Sequence, residues 1–486
     1  MPIGALNSAL AGLQVAQQLL DVTSQNISNA QTPGYTEKTL PLSTQVVGNT
    51  VSVATGIVTR SVNTGLQTDG WNATSNSSYW TNQSTYLSNL EQISGTPSAG
   101  SSMASLLSTV ANDFSQLSAD PSNAIEQQQT VNDAQTFASS INSYANSIEQ
   151  ARNQTQTDIM ESVQTINNSL SQIAQLNQQI AQATYSGQST ANLADQRDQA
   201  IQTLSGQMNI STFTRSDGVV VVQTANGQLL ADTVAQPVSF TSSTLGAVSY
   251  YPSSANGVIV GTGTQAFDLA AGSPGGTLGS LLNLRDQVLP QQQAQLDELS
   301  EQTANAFQAA GVQLFSDSSG NIPANLPGSY VGFAQQIQVN PAVSANPALL
   351  QQGTSGGPPL QPGDNTMITN VINNVFGTPQ TFYTTGLGPN LGVSTGLPAS
   401  ATLESYADQI IAAQANTASQ ASAKQTSETA YTTAIQQSLT NSSGVSLDNE
   451  MANMIVIQKS YGACAQMMNT VNTIMNDLMT AVQSAS

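Results

Sequence analysis

The residues best suited to chemistry by type and spacing lie in the run "NLADQRDQ", residues 192–199. In a helix, Asp195 and Asp198 face the same side because they are three residues apart, and Arg197 lies between them in sequence. Two interpretations fit. The group is either a catalytic or ion-binding cluster, or a set of ion pairs within or between helices near a helix start, where carboxylates are favoured. Ion pairing is the commoner use of this spacing, and we adopt it.

The composition excludes most familiar catalytic and metal sites. The chain of 486 residues has no histidine and a single cysteine, Cys464. Ser-His-Asp and Cys-His nucleophiles, histidine-based zinc sites and a disulfide within one chain are therefore impossible. Two carboxylates alone can support catalysis, but no acidic pair here lies at a Gly-rich or aromatic-rich strand end. We expect no enzymatic activity, no metal site and no cofactor.

Charge and hydropathy limit the partners. Lys+Arg 8 and Asp+Glu 28 give a net charge of −20, which argues against binding to nucleic acid or an anionic membrane. Charged residues make up only 7% of the chain, so its polar surface is mostly Gln, Asn, Ser and Thr. Such a surface suits close packing of many copies, although a biased composition of the source lineage explains it equally well. No apolar run reaches the length of about 18 residues that spans a membrane.

The start of the chain predicts one isolated helix. Apolar residues at steps of three and four predict an amphipathic helix over 3–29. It ends at "TPGY" because Pro33 lacks an N–H and Gly34 accepts a positive φ. The opening "MPIGALNSALAGL" lacks the basic start of a signal peptide, so we expect any export to use a route without a cleaved signal.

The middle of the chain alternates between helical and strand patterns. The run 125–180 is too long for an ordinary globular helix, which predicts a hairpin or a rod-like bundle. The alternation in "GVVVVQTANGQLLAD" predicts an antiparallel β module over 208–268. Further helical patterns cover 69–207, 277–311 and 402–440, and 312–400 is rich in Pro and Gly.

The last forty residues carry a heptad pattern over about five repeats. Its positions are Leu447, Met451, Met454, Gln458, Tyr461, Cys464 or Ala465, Met468, Asn472, Met475, Met479 and Val482. Methionine is an adaptable packing residue, so we interpret the pattern as a partner-binding seam rather than a metal or lipid site.

Both ends of the chain thus form thin amphipathic helices, which we expect to pack on each other or on neighbouring copies. The predicted assembly interface comprises Leu6, Leu10, Leu13, Leu20, Ile27, Leu447, Met451, Met454, Tyr461, Met468 and Met475. The predicted motif turn comprises Pro33, Gly34 and Tyr35.

Four segments carry a resemblance to a known family. The Asn-rich helix end followed by "TPGY" (32–35) resembles the N-terminal motif of bacterial flagellar axial proteins. Three more segments follow in order: "DPSNAIEQQQTV" (120–131), "NLADQRDQAIQTLSGQMNISTFTRSDGVVVVQTANGQLL" (192–230) and "GVSLDNEMANMIVIQKSY" (444–461). Together the four resemble the hook-associated protein 1 family of the hook–filament junction. The similarity fades over 232–275 and 312–400.

The resemblance implies a mainly α fold with an inserted β module, an α+β chain in three parts. A terminal coiled-coil assembly domain pairs the N- and C-terminal helices. A helical rod-like domain follows, and a β-rich outer domain projects outward. We place these domains at 1–33 with 446–486, at 34–207 with 270–311 and 401–445, and at 208–269 with 312–400.

The resemblance also implies the function and partners. The chain is then a structural junction adaptor between hook and filament, exported through the flagellar type III apparatus. Its partners are hook protein, the second junction protein, further copies of itself, and an export chaperone at the C-terminal helix. Two alternatives stay open: another axial protein of the hook or rod, and a secreted surface adhesin whose β module binds a ligand.

Overall fold

The computed structural model describes residues 2–47, 50–94 and 100–485. The chain divides into two compact units. The first comprises Met1–Asn76, Thr165–Pro237 and Thr429–Ser486, and the second comprises Ser77–Gln164 and Val238–Glu428. The fold is mainly helical with small antiparallel sheets, which confirms the predicted class; the three-domain boundaries stay a prediction.

Helices dominate both units. The α-helices of the described residues are α1 Pro2–Asn29, α2 Thr64–Ser94, α3 Met103–Leu117, α4 Ala124–Tyr185, α5 Ala191–Gln207, α6 Gly276–Asn283, α7 Leu289–Ala309, α8 Pro341–Ala345, α9 Leu349–Gln352, α10 Thr366–Val371, α11 Leu403–Ser443 and α12 Leu447–Ala485. A π-helical turn, Leu284–Val288, joins α6 to α7, and a second one, Ile372–Phe376, follows α10. None of these helices combines the length and apolar composition that a bilayer crossing requires.

The strands form small antiparallel sheets. They are β1 Lys38–Thr39, β2 Leu42–Val47, β3 Thr50–Thr55, β4 Thr59–Arg60, β5 Ile210–Thr214, β6 Val220–Thr224, β7 Leu229–Ala231, β8 Val238–Phe240, β9 Val258–Val260, β10 Phe267–Asp268, β11 Phe315–Ser316, β12 Gln338–Val339, β13 Gln380–Thr381 and β14 Ser400–Ala401. The pairs are β1–β4, β2–β3, β11–β12 and β13–β14, and the three-stranded orders are β5-β6-β7 and β8-β9-β10. Two of these elements matter for the site: β1 and β4 place Lys38 directly opposite Arg60.

Helix α4 is a single unbroken helix of 62 residues, where the sequence predicted a hairpin or a bundle. Its sequence contains neither Gly nor Pro, so nothing interrupts the backbone hydrogen bonds. Its buried positions follow steps of three and four along its length, as in a coiled-coil helix. They include Val131, Ala134, Ala138, Ile141, Ala145, Ile148, Ile159, Ile166, Ile173 and Ile180.

The second unit is built around α7, which is buried on all sides. One end of α7 lies in an aromatic cluster, where the ring of Phe307 is 5.3 Å from that of Phe315 and 5.7 Å from that of Phe114. Further along, the helix buries three carboxyl groups, those of Asp297, Glu298 and Glu301.

These three carboxyl groups are held mainly by neutral donors. The backbone N–H groups of Gly332 and Ala334 donate to Asp297 at 2.9 Å each. Burial raises the pKa of Asp297 to about 7 and that of Glu301 to about 8, and it also raises the pKa of Glu298. Glu301 accepts a hydrogen bond from Asn305 through Oε1, while its Oε2 is buried without a hydrogen-bond partner.

We predict that this unit is more stable at about pH 6 than at about pH 9. The folded-state pKa values lie above the unfolded values of about 4, so the folded state binds protons more tightly. The resulting stability is fully present below the unfolded pKa and is lost as the pH rises through about 7 to 8. Glu301→Gln should therefore stabilise the protein more at pH 9 than at pH 6, and it should change stability least near pH 4, where the carboxyl is protonated in both states.

Calorimetry at the two pH values measures the effect. Asp408→Asn, which removes an exposed carboxylate from α11, is the matched control and should leave the pH difference unchanged. Equal stabilisation by Glu301→Gln at both pH values would contradict a charged, destabilising Glu301.

Candidate assembly site

The two terminal helices pair with each other inside the first unit. At one point, a Cβ placed on Gly12 would lie 2.8 Å from Sγ of Cys464. At another, Nδ2 of Asn26 donates to Oε1 of Glu450 at 2.8 Å. Asn26 lies 14 residues after Gly12 on α1, and Glu450 lies 14 residues before Cys464 on α12. The helices therefore run antiparallel in a constant register.

Small side chains allow α1 to approach its partner closely. Three of its buried residues, Ala9, Ala16 and Thr23, recur every seven positions. Gly12 lies on the same stripe, and even one added carbon there would collide with Cys464. A heptad of small residues brings two helices near each other while leaving little apolar area in the seam.

Helix α12 contributes a heptad stripe whose register differs in part from the prediction. Its less exposed positions are Glu450, Met454, Ile457, Cys464, Ala465, Met468 and Val471. The sequence pattern placed Gln458 and Asn472 in the seam, but both are exposed, whereas the adjacent Ile457 and Val471 are covered.

The predicted interface residues fall into two groups. Leu6, Leu13, Leu20, Ile27, Met454 and Met468 are half-buried. Leu10, Leu447, Met451, Tyr461 and Met475 are exposed. A role for any of them in assembly stays a prediction.

The motif turn lies against the helix that carries "DQRDQ". Gly34 has a φ of +76°, in the region that favours glycine, and a Cβ there would lie 2.7 Å from Nε2 of Gln199. The same amide nitrogen donates to the carbonyl oxygen of Pro33 at 2.7 Å. The turn thus needs glycine for both its backbone angle and its close approach to α5.

Asn26, near the end of α1, joins this turn to α12. Its side chain is 1% exposed. Nδ2 donates to Glu450 and, at 2.9 Å, to the carbonyl oxygen of Lys38. Oδ1 accepts from the hydroxyl of Tyr35 at 2.9 Å and from the N–H of Lys38 at 3.0 Å. Both polar atoms of a buried amide are therefore satisfied, as burial requires.

Asp195 of α5 is the centre of the same network. Oδ1 accepts from the hydroxyl of Thr36 at 2.7 Å and from Nη1 of Arg60 at 2.9 Å. Oδ2 accepts from Nζ of Lys38 and from the N–H of Thr36. The ladder between β1 and β4 presents both cations to one carboxylate. Nζ of Lys38 also lies 4.6 Å from the ring centre of Tyr35, within cation–π range.

Asp198 and Arg197 point in different directions from α5. Asp198 Oδ2 lies 2.6 Å from Nη1 of Arg60 and accepts from Gln67 at 2.6 Å. Arg197 instead donates from Nη1 to Gly218 O at 2.8 Å and to Asn177 Oδ1 at 3.2 Å, which ties α5 to α4 and the β5–β6 turn. The sequence predicted that Arg197 pairs with these carboxylates, but its Nε lies 3.9 Å from Oδ1 of Asp198.

The electrostatics of the network favour a structural role. Burial, with Asp195 and Glu450 nearby, raises the pKa of Tyr35 to about 12, so its hydroxyl keeps the proton that it donates to Asn26. Burial also lowers the pKa of Lys38 against the opposing effect of Asp195. The side chain of Asp195 is only 7% exposed and its oxygens are occupied by the chain's own donors. The group therefore holds segments together rather than binding substrate.

Sequence reasoning missed most of this network. Asn26, Lys38, Arg60 and Glu450 were not among the predicted site residues. A signal did exist, because Lys38 and Arg60 are two of only eight cations in the chain. When cations are this scarce, one that lies beside a motif is expected to pair with a carboxylate. The described residues hold no cluster of three or more Cys, Asp or Glu side chains that could bind a metal ion.

Comparison with known proteins matches three segments of the chain to flagellar families. Residues 87–322 match the family described as flagellar hook-associated protein FlgK helical domain. Residues 6–36 match the flagella basal body rod protein family. Residues 435–481 match the C-terminal region of the flagellar basal body rod FlgEFG proteins.

Individual relatives agree with the family matches. Flagellar hook-associated protein 1 of Salmonella typhimurium is 27% identical over 332 residues, and that of Escherichia coli K12 is 28% identical over 319 residues. The alignments cover 65% and 62% of this chain but only 58% and 56% of the relatives, so the chain spans less than two thirds of their length. The solved flagellar hook junction protein FlgK of Burkholderia pseudomallei is 26% identical, with a TM-score of 0.44 over 53% of this chain and 45% of that chain. The predicted resemblance to hook-associated protein 1 is confirmed.

We predict that Asp195→Ala destabilises the first unit by about 3–5 kcal/mol, because it leaves the ammonium of Lys38 buried without its carboxylate. Adding Lys38→Met should recover part of this loss, since two residues in one network act non-additively. Chemical denaturation of the three variants measures it. Asp217→Ala, which removes an exposed ion pair with Arg215, is the control and should cost at most about 1 kcal/mol. Additive effects of the two network changes would contradict the coupling.

We also predict that Gly12→Cys forms a disulfide with Cys464 in the otherwise unchanged chain. The distance of 2.8 Å from the added Cβ to Sγ of Cys464 is close to the ~3 Å that a Cβ–S–S path spans. Thiol counting and mass spectrometry after mild oxidation detect the bridge. Leu10→Cys, on an exposed part of the same helix, should not bridge. Equal oxidation of both variants would contradict the observed register.

Proposed function

We propose that this chain is a structural component of the bacterial flagellum that joins hook to filament. The observation that carries the proposal is the pairing of its two ends. The segments that match the rod families at either terminus are held antiparallel by contacts at Gly12–Cys464 and Asn26–Glu450. The helical-domain match to FlgK over 87–322 selects the junction protein among axial proteins. In this proposal the paired ends are the coiled-coil assembly domain.

The surface of α12 supports assembly with neighbours. Beyond the stripe that faces α1, the helix exposes Val456, Met467, Ile474 and Leu478 at 49–62%. These residues lie on one side of the helix by their spacing. The antiparallel register also sets Cys464 beside Gly12, so the last turns of α12 extend past the start of α1. Exposed apolar residues along one side of a helix are typical of surfaces that bind partners on assembly.

The partners and the location follow from the same proposal. Hook protein, the second junction protein and further copies of this chain pack around the terminal helices. An export chaperone covers the C-terminal helix before assembly. The protein is secreted without a cleaved signal peptide and resides in the flagellum. The three-domain division, with an outward β-rich part, is also proposed here.

The alternatives fit the molecule less well. A hook or rod protein does not account for the FlgK helical-domain match across 87–322. An adhesin would present an aromatic groove within 208–400. A cavity of about 750 Å³ in the described part of this range is lined by residues such as Gln313, Leu349 and Gln352 and by no aromatic side chain. The cavity beside Tyr250 and Tyr251 has a volume of only about 100 Å³, below the about 300–1,000 Å³ of a typical ligand pocket.

Deletion of the gene, followed by electron microscopy, tests the proposal. Cells lacking the chain should carry hooks without filaments, and the intact gene should restore filaments. Met454→Asp should fail to restore them, because a carboxylate desolvated in the seam without a partner costs several kcal/mol. Met160→Asp, on an exposed position of α4, is the matched control and should restore them. Filaments of normal number in the deletion strain would overturn the proposed function.

A further inference from the structure

A groove in the second unit lies between α2 and α11. Asn283 of α6 and Val288 of the π-helical turn before α7 also contribute to its lining. Its volume is about 520 Å³, and its lining is predominantly apolar. Tyr79, Trp80, Leu87, Val288, Ala421 and Lys424 are among the residues that form it.

Two of the polar groups along this groove are already used within the chain. Nε2 of Gln83 donates to Oδ1 of Asn283 at 3.0 Å, and the hydroxyl of Thr417 donates to the carbonyl oxygen of Ala413 at 2.8 Å. The rings of Tyr79 and Trp80 meet edge to face at 5.1 Å. An occupant therefore gains most from apolar contact, the mode by which an amphipathic helix binds in a helical groove.

One charge distinguishes the groove from the rest of the unit. The second unit contains three cations, and two of them, Arg152 and Arg285, are 3% and 0% exposed. Lys424, at the groove, is exposed. Within the described part of this unit it is thus the one cation that meets solvent, which favours an occupant with a carboxylate beside its apolar face.

The first turns of α12 have this combination. Leu447, Met451 and Ile455 are 41%, 58% and 53% exposed, and their spacing of four residues places them along one side of the helix. Asp448 lies beside this stripe and is exposed. Eight residues separate Leu447 from Ile455, which is ~12 Å of helix, and eight residues also separate Tyr79 from Leu87 along the groove.

We propose that this stripe of one copy docks in the α2–α11 groove of a second copy, with Asp448 facing Lys424. The proposal rests on the proposed function, which brings many copies together in one junction. The stripe and the groove are different surfaces, so the contact is head-to-tail. Such contacts generate rings or helical assemblies rather than closed two-fold dimers. This gives Leu447 and Met451 a partner other than α1.

Cross-linking in isolated flagella tests the contact. In a Cys464→Ala parent, one gene copy carries Met451→Cys and another carries Ser427→Cys, which lines the groove. A short bismaleimide should yield a dimer of the chain when both variants are expressed together, and neither alone should yield it. Replacing Ser427→Cys by Met160→Cys, an exposed position of the same unit, should abolish the product.

Charge exchange is the second arm. Lys424→Glu and Asp448→Lys should each lower the cross-link yield about twofold to fivefold, as expected for an exposed ion pair. The two together should restore it. Failure of restoration would show that these residues do not meet.

The outcomes separate this proposal from the proposed function. Absence of the dimer in flagella of a Cys464→Ala strain that still forms filaments would overturn the docking contact alone. Cross-linking of the groove cysteine to a different flagellar protein would also overturn it, because the groove would then take another occupant. Normal filaments in the deletion strain would overturn the proposed function instead.

Discussion

The network around the carboxylate of Asp195 is the interaction on which the first unit depends. The carboxylate accepts hydrogen bonds from Lys38, Thr36 and Arg60 at a point where the motif turn, the β1–β4 ladder and α5 meet. A buried ion is expensive to desolvate and is tolerated only when its geometry satisfies it fully. Those segments therefore have one arrangement in which every group is paired, and displacing any of them leaves a charge uncompensated.

This network fixes the register of the seam between α1 and α12. Asn26 occupies a seam position of α1 and contacts Glu450 on one side and Lys38 and Tyr35 on the other. A single polar residue in a seam fixes register because any slip leaves it unsatisfied. Small residues such as Ala9 and Ala16 would by themselves allow several registers. The polar contacts therefore determine how α1 aligns with α12, and the close approach of the two helices follows from this alignment.

Some of this could be predicted from the sequence and some could not, for physical reasons. Local signals were sufficient for α1, for the turn that follows it at Pro33 and Gly34, and for the change to strands after Met208, because each depends on neighbouring residues. The seam of α12 was found, but two of its positions were placed one residue too late, since adjacent pairs such as Ile457 and Gln458 both fit steps of three and four. The network was missed because its partners are far apart in sequence: 159 residues separate Thr36 from Asp195 and 424 separate Asn26 from Glu450. Spacing along one helix contains no information about such pairs.

The scarcity of charge explains why polar contacts are made inside the chain while one exposed side of α12 is apolar. Four of the eight cations, Lys38, Arg152, Arg197 and Arg285, are buried and bonded inside the chain. Few positive charges remain to offset the acidic surface, so ion pairs between copies can contribute only at isolated points such as Lys424. One exposed side of α12 is instead apolar, and apolar contact is non-directional. Internal register is thus fixed by directional polar bonds, which leaves the apolar side of α12 free to adapt to neighbours of different shape. The proposed role as a junction between hook and filament requires this combination of a fixed register and adaptable apolar surfaces.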